Sequence, residues 1–290
     1  MEQDSFFGLI HEVIVIFTDL DGTLLDHHSY KWDKAKPALD LCKKLRIPVI
    51  MVSSKTRSEL AVLSREMGLS FPFISENGGG IFFPDDVSTR VPHGAVHTGA
   101  WWKWSIGTPY RVLVRGLREI QMELDCPIRG FSEMSEKEIS RLTGLDPEKI
   151  PLAALREFDE PFIMLEPGNS DIDAVRLAAE KRGFHITQGG RFYHIHGKGD
   201  KGTAVKRLIE WYKESYASVF SIGLGDSPND FPMLKKVDRP VLVYSGRRFP
   251  EIEEQIPGLQ ITQRPGPDGW NDAVLDILSE KIEGGFSGYV

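Results

Sequence analysis

Residues 13–25, with the sequence VIVIFTDLDGTLL, decide the fold that this chain should adopt. The run at 13–17 is β-branched and aromatic throughout, which is typical of a strand buried on both faces of a parallel sheet. Asp19 and Asp21 follow directly at its end. Because side chains alternate along an extended chain, both carboxylates should point to one side, at the carboxyl edge where open α/β sheets bind ligands.

These paired carboxylates predict a divalent cation beside a nucleophilic carboxylate. Two clustered carboxylates repel each other, and Mg²⁺ is the usual oxygen-ligated ion that relieves the repulsion. A carboxylate can also attack phosphorus and form an aspartyl-phosphate, which divides phosphoryl transfer into two easier steps. The alternative interpretation is a strand end followed by an ordinary Asp-Gly turn at Asp21 and Gly22.

Length and composition limit the class of protein. A chain of 290 residues predicts about two domains, and its 41% hydrophobic and 27% charged content is ordinary for a soluble globular protein. The net charge of −7 argues against non-specific nucleic-acid binding, which usually needs a basic face. We find no signal-peptide pattern and no apolar run of ~20 residues, so we expect a cytoplasmic protein without a membrane span. Cys42 and Cys126 alone suggest no disulfide framework.

The segments around the first strand predict alternating strands and helices, which favours a parallel sheet. We expect a helix over 33–46 with Asp33 as its N-cap, or with a start a few residues later because Pro37 fits only near a first turn, then a strand over 48–52 and a helix over 57–67 that ends at Gly68. The later elements assigned to the same sheet domain are a strand over 218–224, a helix over 231–237, a strand at Val241, a Pro/Gly loop at 264–267 and a helix over 269–281.

Residues 86–194 have a different pattern and predict an inserted α+β domain. Amphipathic helices are expected over 109–123 and 170–181, with strands over 162–165, 185–187 and 191–196. We therefore predict an α/β protein with a doubly wound parallel sheet, in which 1–85 and 195–290 form the sheet domain and 86–194 form the insert. The tryptophans at 101–104 are interpreted as packing residues, with a sugar-stacking platform as the alternative.

Further candidate residues lie at the ends of the other predicted strands and at a helix start. The Ser53 hydroxyl could bind a phosphate oxygen beside the N–H groups of the next helix, or simply cap that helix. Lys201 opens a helix, where a cation is unfavourable unless it pairs with an anion, and a solvated surface lysine is the alternative. In GDSPND, at 225–230, Asp226 and Asp230 repeat the paired-carboxylate pattern, with a turn and helix cap as the alternative.

Two pairs of residues in the predicted insert were considered as binding groups. His194 and His196 share a strand face, but no third ligand lies nearby in sequence, so we interpret them as structural rather than metal-binding. Gln188 and Arg191 flank two glycines between two predicted strands, and the arginine could bind a carboxylate bidentately. A plain hairpin turn with a surface arginine is the alternative for this segment.

In order and setting, four motifs resemble those of the haloacid dehalogenase-like (HAD) phosphohydrolases. They are DLDGT after an apolar strand, a strand-end hydroxyl at Ser53, Lys201 in a Lys-Gly setting, and GDSPND. The resemblance covers nearly the whole chain and implies a Rossmann-like HAD core with an inserted C2-type cap. It also implies a phosphoryl-transfer enzyme. The alternative from another functional class is a catalytically silent protein of the same fold that binds a phosphorylated ligand, since fold does not fix function.

The resemblance implies a role for each motif residue. Asp19 would attack phosphorus, and Asp21 would act first as general acid and then as general base. Ser53 and Lys201 would hold the transferring phosphoryl oxygens. Many relatives carry Thr-Gly-Arg where this chain has Ser-Ser-Lys, so Ser54 stays open as the motif hydroxyl.

The same resemblance implies a Mg²⁺ cofactor and a phosphorylated substrate. The predicted metal ligands are aspartates of the first and last motifs: Asp19, Asp21 through its backbone carbonyl, Asp226 and Asp230. The predicted substrate contacts flank the motifs or belong to the insert: Ser54, Lys55, Glu76, Asn77, Gln188 and Arg191.

Several stretches resemble the mannosyl-3-phosphoglycerate phosphatase branch of this family more than its sucrose-phosphate phosphatases or phosphomannomutases. They are SSKTRSEL, FISENGGGIFFP, GGRFYHIHGKGDKG, GDSPNDFPML and TQRPGPDGW. This implies a small phosphorylated sugar acid as substrate, with no nucleic-acid or membrane partner. A phosphomannomutase is the enzymatic alternative, and neither the sugar nor the oligomeric state follows from the sequence.

Overall fold

The structure, a computed structural model, describes residues 12–85, 91–165, 172–189 and 192–286. Its strands, in chain order, are β1 (Val13–Thr18), β2 (Val49–Met51), β3 (Phe73–Ser75), β4 (Gly80–Pro84), β5 (Val96–Thr98), β6 (Trp101–Ser105), β7 (Ile128–Gly130), β8 (Asp159–Met164), β9 (His185–Gly189), β10 (Phe192–His196), β11 (Val219–Gly225), β12 (Arg239–Tyr244) and β13 (Gln260–Pro265). Its α-helices are α1 (Lys36–Lys44), α2 (Arg57–Met67), α3 (Tyr110–Leu124), α4 (Glu136–Thr143), α5 (Ile150–Ala153), α6 (Ile172–Lys181), α7 (Lys201–Lys213), α8 (Phe231–Leu234), α9 (Pro250–Gln255) and α10 (Gly266–Glu283). Among the described helices, none is both long and apolar enough to cross a membrane.

The chain divides into two compact units, one made of residues 1–52 and 201–290 and the other of 53–200. The sequence-based division places 53–85 with the parallel sheet instead, and the domain assignment stays a prediction. In the structure, β3 pairs with β4 and β4 pairs with β6, so this segment shares a sheet with β5 and β6, which explains why 53–85 groups with the second unit.

The first unit contains a five-stranded parallel sheet in the order β13-β12-β11-β1-β2. Every residue of β1 is buried, because the strand has a neighbour on each side and helices flank the sheet. The predicted parallel sheet is therefore confirmed. Thr18 is in register with Leu224 of β11, so the segments that follow these two strands emerge side by side at one edge.

The second unit has two antiparallel four-stranded sheets, ordered β7-β8-β10-β9 and β3-β4-β6-β5. One face of the first sheet packs on α3 and α6 through side chains such as Leu113, Phe162 and Val175. A smaller cluster that includes Ile139 and Phe192 packs with the short helices α4 and α5. The predicted inserted α+β architecture is confirmed.

The tryptophans of β6 are partly buried rather than displayed on a flat exposed surface. The ring centroid of Trp101 lies 4.8 Å from that of Phe73, and the centroid of Trp102 lies 4.8 Å from that of His97. These ring contacts explain the aromatic cluster by packing, as the sequence interpretation has it.

Three predicted element boundaries were wrong. The segment at 33–35 is a short 3-10 helix preceded by Trp32, so Asp33 is not an N-cap; α1 begins at Lys36, which places Pro37 in a first turn that needs no N–H donor there. The expected loop at 264–267 instead ends β13 and begins α10, with Pro267 again in a first turn. The helix expected over 231–237 is only Phe231–Leu234.

Candidate active site

The candidate active site begins at the end of β1, where both backbone groups of Asp19 are held. Its N–H donates to the Leu224 carbonyl at 2.9 Å, and its carbonyl accepts a hydrogen bond of 2.7 Å from the Thr18 hydroxyl. The buried indole of Trp270 in turn donates to that hydroxyl at 2.9 Å. The sheet and α10 therefore fix the backbone from which the Asp19 carboxylate projects.

The Asp-Gly-Thr turn after Asp19 brings the chain against Asp226. Gly22 has a φ of +86°, and a Cβ there would lie 2.9 Å from the Asp226 carboxylate, so only glycine fits without a shift. The Thr23 hydroxyl donates to Asp226 Oδ1 at 3.3 Å. The turn thus has a local reason, as the sequence alternative proposed, and it also positions one of the carboxylates.

Lys201 is fully buried and paired with two carboxylates. Its Nζ lies 2.5 Å from Asp19 Oδ1 and 2.6 Å from Asp230 Oδ1. The neighbouring Gly202 packs its Cα against the carbonyl of Pro232, where a Cβ would overlap, and this close approach of α7 and α8 brings the lysine to Asp230. The alternative of a solvated surface lysine is therefore wrong.

Asp230 uses its second carboxylate oxygen to fix the loop after β11. The N–H groups of Asp226 and Ser227 donate to Asp230 Oδ2 at 3.0 and 3.1 Å. Although Asp230 stands at the N-cap position of α8, its side chain makes no capping hydrogen bond to that helix. The carboxylate therefore orders its own loop and the lysine rather than capping α8.

Three carboxylates form a group with the spacing of a cation site. Ligand atoms of Asp19, Asp226 and Asp230 all lie within 4.8 Å of one another, and within the described part of the chain no other set of three or more His, Cys, Asp or Glu does so. The Asp21 carboxylate is not a member, and the contribution of its backbone carbonyl stays a prediction. An all-oxygen donor set of this kind suits a hard divalent cation.

The electrostatics of this group favour an added cation. Burial raises the pKa of Asp19 to about 8, helped by the charge of Asp230 and opposed by that of Lys201. Burial and the charge of Asp230 likewise raise the pKa of Asp226 to about 6. Burial acts to lower the pKa of Lys201, but the charges of Asp19 and Asp230 outweigh it and raise that pKa. One ammonium group thus faces three carboxylates, and a divalent cation would offset the excess negative charge.

Predicted residues of the second unit lie in two loops that are bonded to each other. Ser53 is buried; its N–H donates to the Ile74 carbonyl at 3.0 Å, and its carbonyl accepts from the Asn77 N–H at 2.9 Å. The Lys55 carbonyl accepts from the Glu76 N–H at 3.0 Å. The structure thus brings Ser53, Lys55, Glu76 and Asn77 together, while the roles predicted for these residues and for Ser54 stay predictions.

Glu76 is buried, and its carboxylate accepts hydrogen bonds from the chain itself. The N–H groups of Glu157 and Phe158 donate to it at distances between 2.7 and 3.1 Å. Burial raises the pKa of Glu76 to about 7, against the opposing charge of Arg156. Both Glu76 and Asn77 have a left-handed backbone, with φ of +48° and +54°. A substrate contact by either side chain stays a prediction.

The remaining predicted residues lie elsewhere in the second unit. Gln188 is exposed on β9, and Arg191 lies outside the described residues. The His194 ring contacts the Asp159 carboxylate at 2.9 Å, and the His196 ring contacts the Gly197 carbonyl at 3.0 Å.

Sequence reasoning missed Arg156 and Asp159, which form a buried ion pair near Glu76. The short spacing of an arginine and an aspartate just before a strand is the only signal that could have pointed to this pair, and many surface segments share it.

Comparison with known proteins gives the family. A sequence model described as haloacid dehalogenase-like hydrolase matches residues 16–92 and 172–249. A protein of Methanococcoides burtonii named glucosyl-3-phosphoglycerate/mannosyl-3-phosphoglycerate phosphatase is 41% identical over 268 residues, which cover 92% of this chain and 97% of that protein. A mannosyl-3-phosphoglycerate phosphatase of Pyrococcus horikoshii is 35% identical over 238 residues, covering 80% and 90%. The crystal structure of Thermoplasma acidophilum 0175 shares the fold, with a TM-score of 0.66 and 22% identity over 92% of this chain and 99% of that chain. Motifs, sheet and relatives agree, and the chain belongs to the haloacid dehalogenase-like hydrolases.

Proposed function

We propose that this protein is a Mg²⁺-dependent phosphatase that hydrolyses a phosphorylated sugar acid through an aspartyl-phosphate. The leading substrate is mannosyl-3-phosphoglycerate, which would give mannosylglycerate and phosphate. The single observation that carries the chemistry is the group of Asp19, Asp226 and Asp230 at the ends of β1 and β11, two of which pair with the buried Lys201.

Asp19 and Asp21 divide the reaction into two steps. The Asp19 carboxylate attacks phosphorus, the bond from phosphorus to the sugar-acid oxygen breaks, and Asp21 gives its proton to the departing oxygen. Asp21 then takes a proton from a water molecule, which attacks the phosphorus of the aspartyl-phosphate and restores the Asp19 carboxylate. Asp19 and Asp21 lie one position apart just after the end of β1, and we propose that both reach one reacting group.

Lys201 and the carboxylates supply the charge that this chemistry needs. The ammonium group lies 2.5 Å from the attacking carboxylate of Asp19, so it can also meet a phosphoryl oxygen that approaches this side chain. Asp19, Asp226 and Asp230 would hold Mg²⁺ together with the Asp21 carbonyl, and a bound Mg²⁺ supplies charge neutralisation at the phosphoryl oxygens. Ser53 is proposed as a hydroxyl ligand of the phosphoryl group because of its motif.

The names of the relatives support the leaving group. The Methanococcoides relative is named for both glucosyl and mannosyl substrates, and the Pyrococcus relative for the mannosyl substrate. The proposal for this chain therefore includes glucosyl-3-phosphoglycerate as a second substrate. Such a substrate carries a carboxylate as well as a phosphate, and burying that carboxylate unpaired would be costly. Arg191 is our proposed partner for it, on the sequence argument alone.

A phosphate-release assay with Mg²⁺ tests the proposal. The panel should contain mannosyl- and glucosyl-3-phosphoglycerate, sucrose phosphate, mannose phosphates and a small aryl phosphate. We expect the highest kcat/KM for a sugar phosphoglycerate and slower hydrolysis of the aryl phosphate. Phosphate transfer within a hexose phosphate, stimulated by a bisphosphate activator, would instead identify a phosphomannomutase. Binding of phosphate without turnover of any ester would identify a silent binding protein.

A further inference from the structure

Arg156 is a buried cation that donates hydrogen bonds to two backbone carbonyls of the second unit. Its side chain is 6% exposed. Nη1 donates to the Ser54 carbonyl at 3.3 Å, Nε donates to the Asp159 carbonyl at 3.2 Å, and Nη2 is paired with the Asp159 carboxylate. Nε also lies 3.7 Å from Glu76 Oε2. A planar guanidinium can serve these directions at once, whereas an ammonium group on a flexible stem cannot.

The loop after β2 is held by three consecutive carbonyls. Those of Ser53 and Lys55 accept from the backbone N–H groups of Asn77 and Glu76, at 2.9 and 3.0 Å. The carbonyl between them, that of Ser54, accepts from Arg156. The Arg156 bond is therefore the one of these three that a side-chain substitution can remove while the two backbone bonds stay.

The segment at 156–158 also holds the second of these loops. The backbone N–H groups of Glu157 and Phe158 donate to the Glu76 carboxylate. This anchorage counters the left-handed backbone of Glu76 and Asn77, which is unfavourable for residues other than glycine. One short segment thus fixes the Ser53–Ser54–Lys55 loop and the Glu76–Asn77 loop together.

The charges around Arg156 keep it in place. Burial alone would raise the pKa of Asp159, but the nearby His194 and Arg156 outweigh burial and hold this pKa well below its usual range. The lowered pKa favours the charged form of Asp159, which pairs with Nη2 of the guanidinium while Nη1 donates to the Ser54 carbonyl.

We propose that Arg156 is a positioning residue for phosphoryl transfer, which acts by fixing the Ser54 carbonyl and with it the neighbouring Ser53 hydroxyl. The inference rests on the proposed role of Ser53 as a phosphoryl ligand. The described hydrogen bonds and ion pairs of Arg156 all go to the protein's own groups, so on this proposal its loss misplaces the hydroxyl rather than removing a binding group. Because misplacement by a fraction of an ångström slows the chemical step, kcat should fall for every phosphate ester, whatever its leaving group.

The first test is Arg156→Lys, which keeps the charge and removes the fork geometry. Arg129→Lys is the matched control, because Arg129 forms an ion pair of 2.8 Å with Glu138 in the same unit, and its described polar contacts are with Glu138 and Glu133 rather than with the Ser53 loop. We expect Arg156→Lys to lower kcat about 10- to 100-fold, equally for the sugar phosphoglycerate and an aryl phosphate. The control should stay within about twofold of the unaltered protein, as is usual for a partly exposed ion pair. An Arg156→Lys protein with unchanged kcat, or with a loss confined to the sugar substrate, would overturn the proposal.

A double-mutant cycle with Ser53→Ala then distinguishes an effect of Arg156 that acts through Ser53 from a general disturbance of the fold. If Arg156 acts through Ser53, the double variant Ser53→Ala/Arg156→Lys should lose no more activity than Ser53→Ala alone. Losses that multiply would overturn the proposal, and so would a Ser53→Ala protein with full activity. If circular dichroism shows that Arg156→Lys does not fold, Glu76→Gln enters the same cycle, because it weakens the same anchorage in an isosteric way. Because the cycle is read with an aryl phosphate, a wrong sugar assignment would leave its outcome unaffected.

Discussion

Lys201 in the first unit and Arg156 in the second are both buried cations between two carboxylates, but those carboxylates differ in the partners that they have within the protein. Glu76 accepts two backbone hydrogen bonds, and Asp159 is paired with both Arg156 and His194. The second cluster is therefore closed in its hydrogen bonding, because Arg156, Glu76 and Asp159 all bind groups inside the protein, although burial still raises the pKa of Glu76 to about 7. Apart from Asp159 Oδ1, which is buried without a hydrogen-bond partner among the described residues, the carboxylate oxygens of this cluster are bonded inside the protein, and buried groups bonded in this way favour a single conformation.

The Lys201 cluster is open by comparison. Lys201 pairs with Asp19 and Asp230, but Asp226 adds a third carboxylate, and the pKa values of Asp19 and Asp226 are raised to about 8 and about 6. Excess charge of this kind is unfavourable for stability alone and is typical of sites that bind ions or react. The difference teaches that a buried ion pair becomes a candidate for chemistry when its surroundings leave one charge uncompensated.

The largest effect that this comparison predicts comes from the open cluster. Asp19→Asn should lower kcat by several orders of magnitude, because the covalent step is lost. The fold should survive, since the amide is near-isosteric and the backbone of Asp19 is fixed by Leu224 and Thr18. Phosphate release and thermal unfolding measure the two effects. Retention of a tenth of the activity would remove Asp19 as the nucleophile, because a tenfold loss is only ~1.4 kcal/mol.

Metal removal should affect only the open cluster. Exhaustive chelation should abolish turnover and added Mg²⁺ should restore it, while the unfolding of the second unit should not respond to either. Asp226→Ala should raise the Mg²⁺ concentration needed for half-maximal activity by about tenfold or more, as expected for the loss of a charged ligand worth ~1.5–3 kcal/mol. Full activity after chelation would contradict the metal assignment. An unchanged Mg²⁺ titration in Asp226→Ala would leave Asp230 as the ligand.

The open site was largely predictable from sequence, and the closed one was not. The apolar run of β1, the Asp-x-Asp-Gly-Thr turn and a lysine at a helix start are local patterns, and strand–helix alternation brings strand ends to one edge of a sheet. The pairing of Lys201 with Asp230 could not be predicted from these local patterns, because it depends on the close contact of Gly202 with Pro232.

The Arg156 network depends on packing between residues far apart in the chain. Arg156 and the Ser54 carbonyl are separated by 102 positions, and Phe158 and Glu76 by 82. In sequence, Arg156 stands in a charged stretch, where the general rule predicts a solvated side chain. No local pattern distinguishes such a residue from a surface one, because its partners are brought together only by tertiary contacts within the second unit.

Removing the two cations should differ in the property that suffers most: stability for Arg156 and activity for Lys201. Arg156→Met should reduce the free energy of unfolding by about 3–5 kcal/mol, because it removes the guanidinium that the buried Asp159 and Glu76 carboxylates share and leaves the His194 ring as the remaining described partner of Asp159. Lys201→Met should remove nearly all activity but reduce stability less, since Asp19 has a pKa of about 8 and can take up a proton in place of the lysine charge. Urea unfolding compares the variants, with Arg129→Met as a partly exposed control that should change stability by ~1 kcal/mol or less. A larger loss of stability in Lys201→Met than in Arg156→Met would reverse the comparison.

The smallest effect is a pH dependence of stability that belongs to the closed cluster. Burial raises the pKa of Glu76 from 4.5 to about 7, so the folded protein holds this proton over a range where the unfolded chain has released it. The stabilisation from this group is complete below about pH 4.5 and is lost as the pH rises to about 7, and it amounts to about 3 kcal/mol for a shift of this size. Glu76→Gln, which cannot ionise, should flatten the unfolding free energy measured between pH 5 and pH 7. Glu138→Gln is the control, because Glu138 is a partly exposed carboxyl whose pKa is lowered, chiefly by the Ser135 backbone N–H, so its titration lies below that window. If Glu76→Gln kept the pH slope of the unaltered protein, titration of Glu76 would not contribute to that slope. Its carboxylate would then be stabilised by its partners over the whole range, as that of Asp159 is.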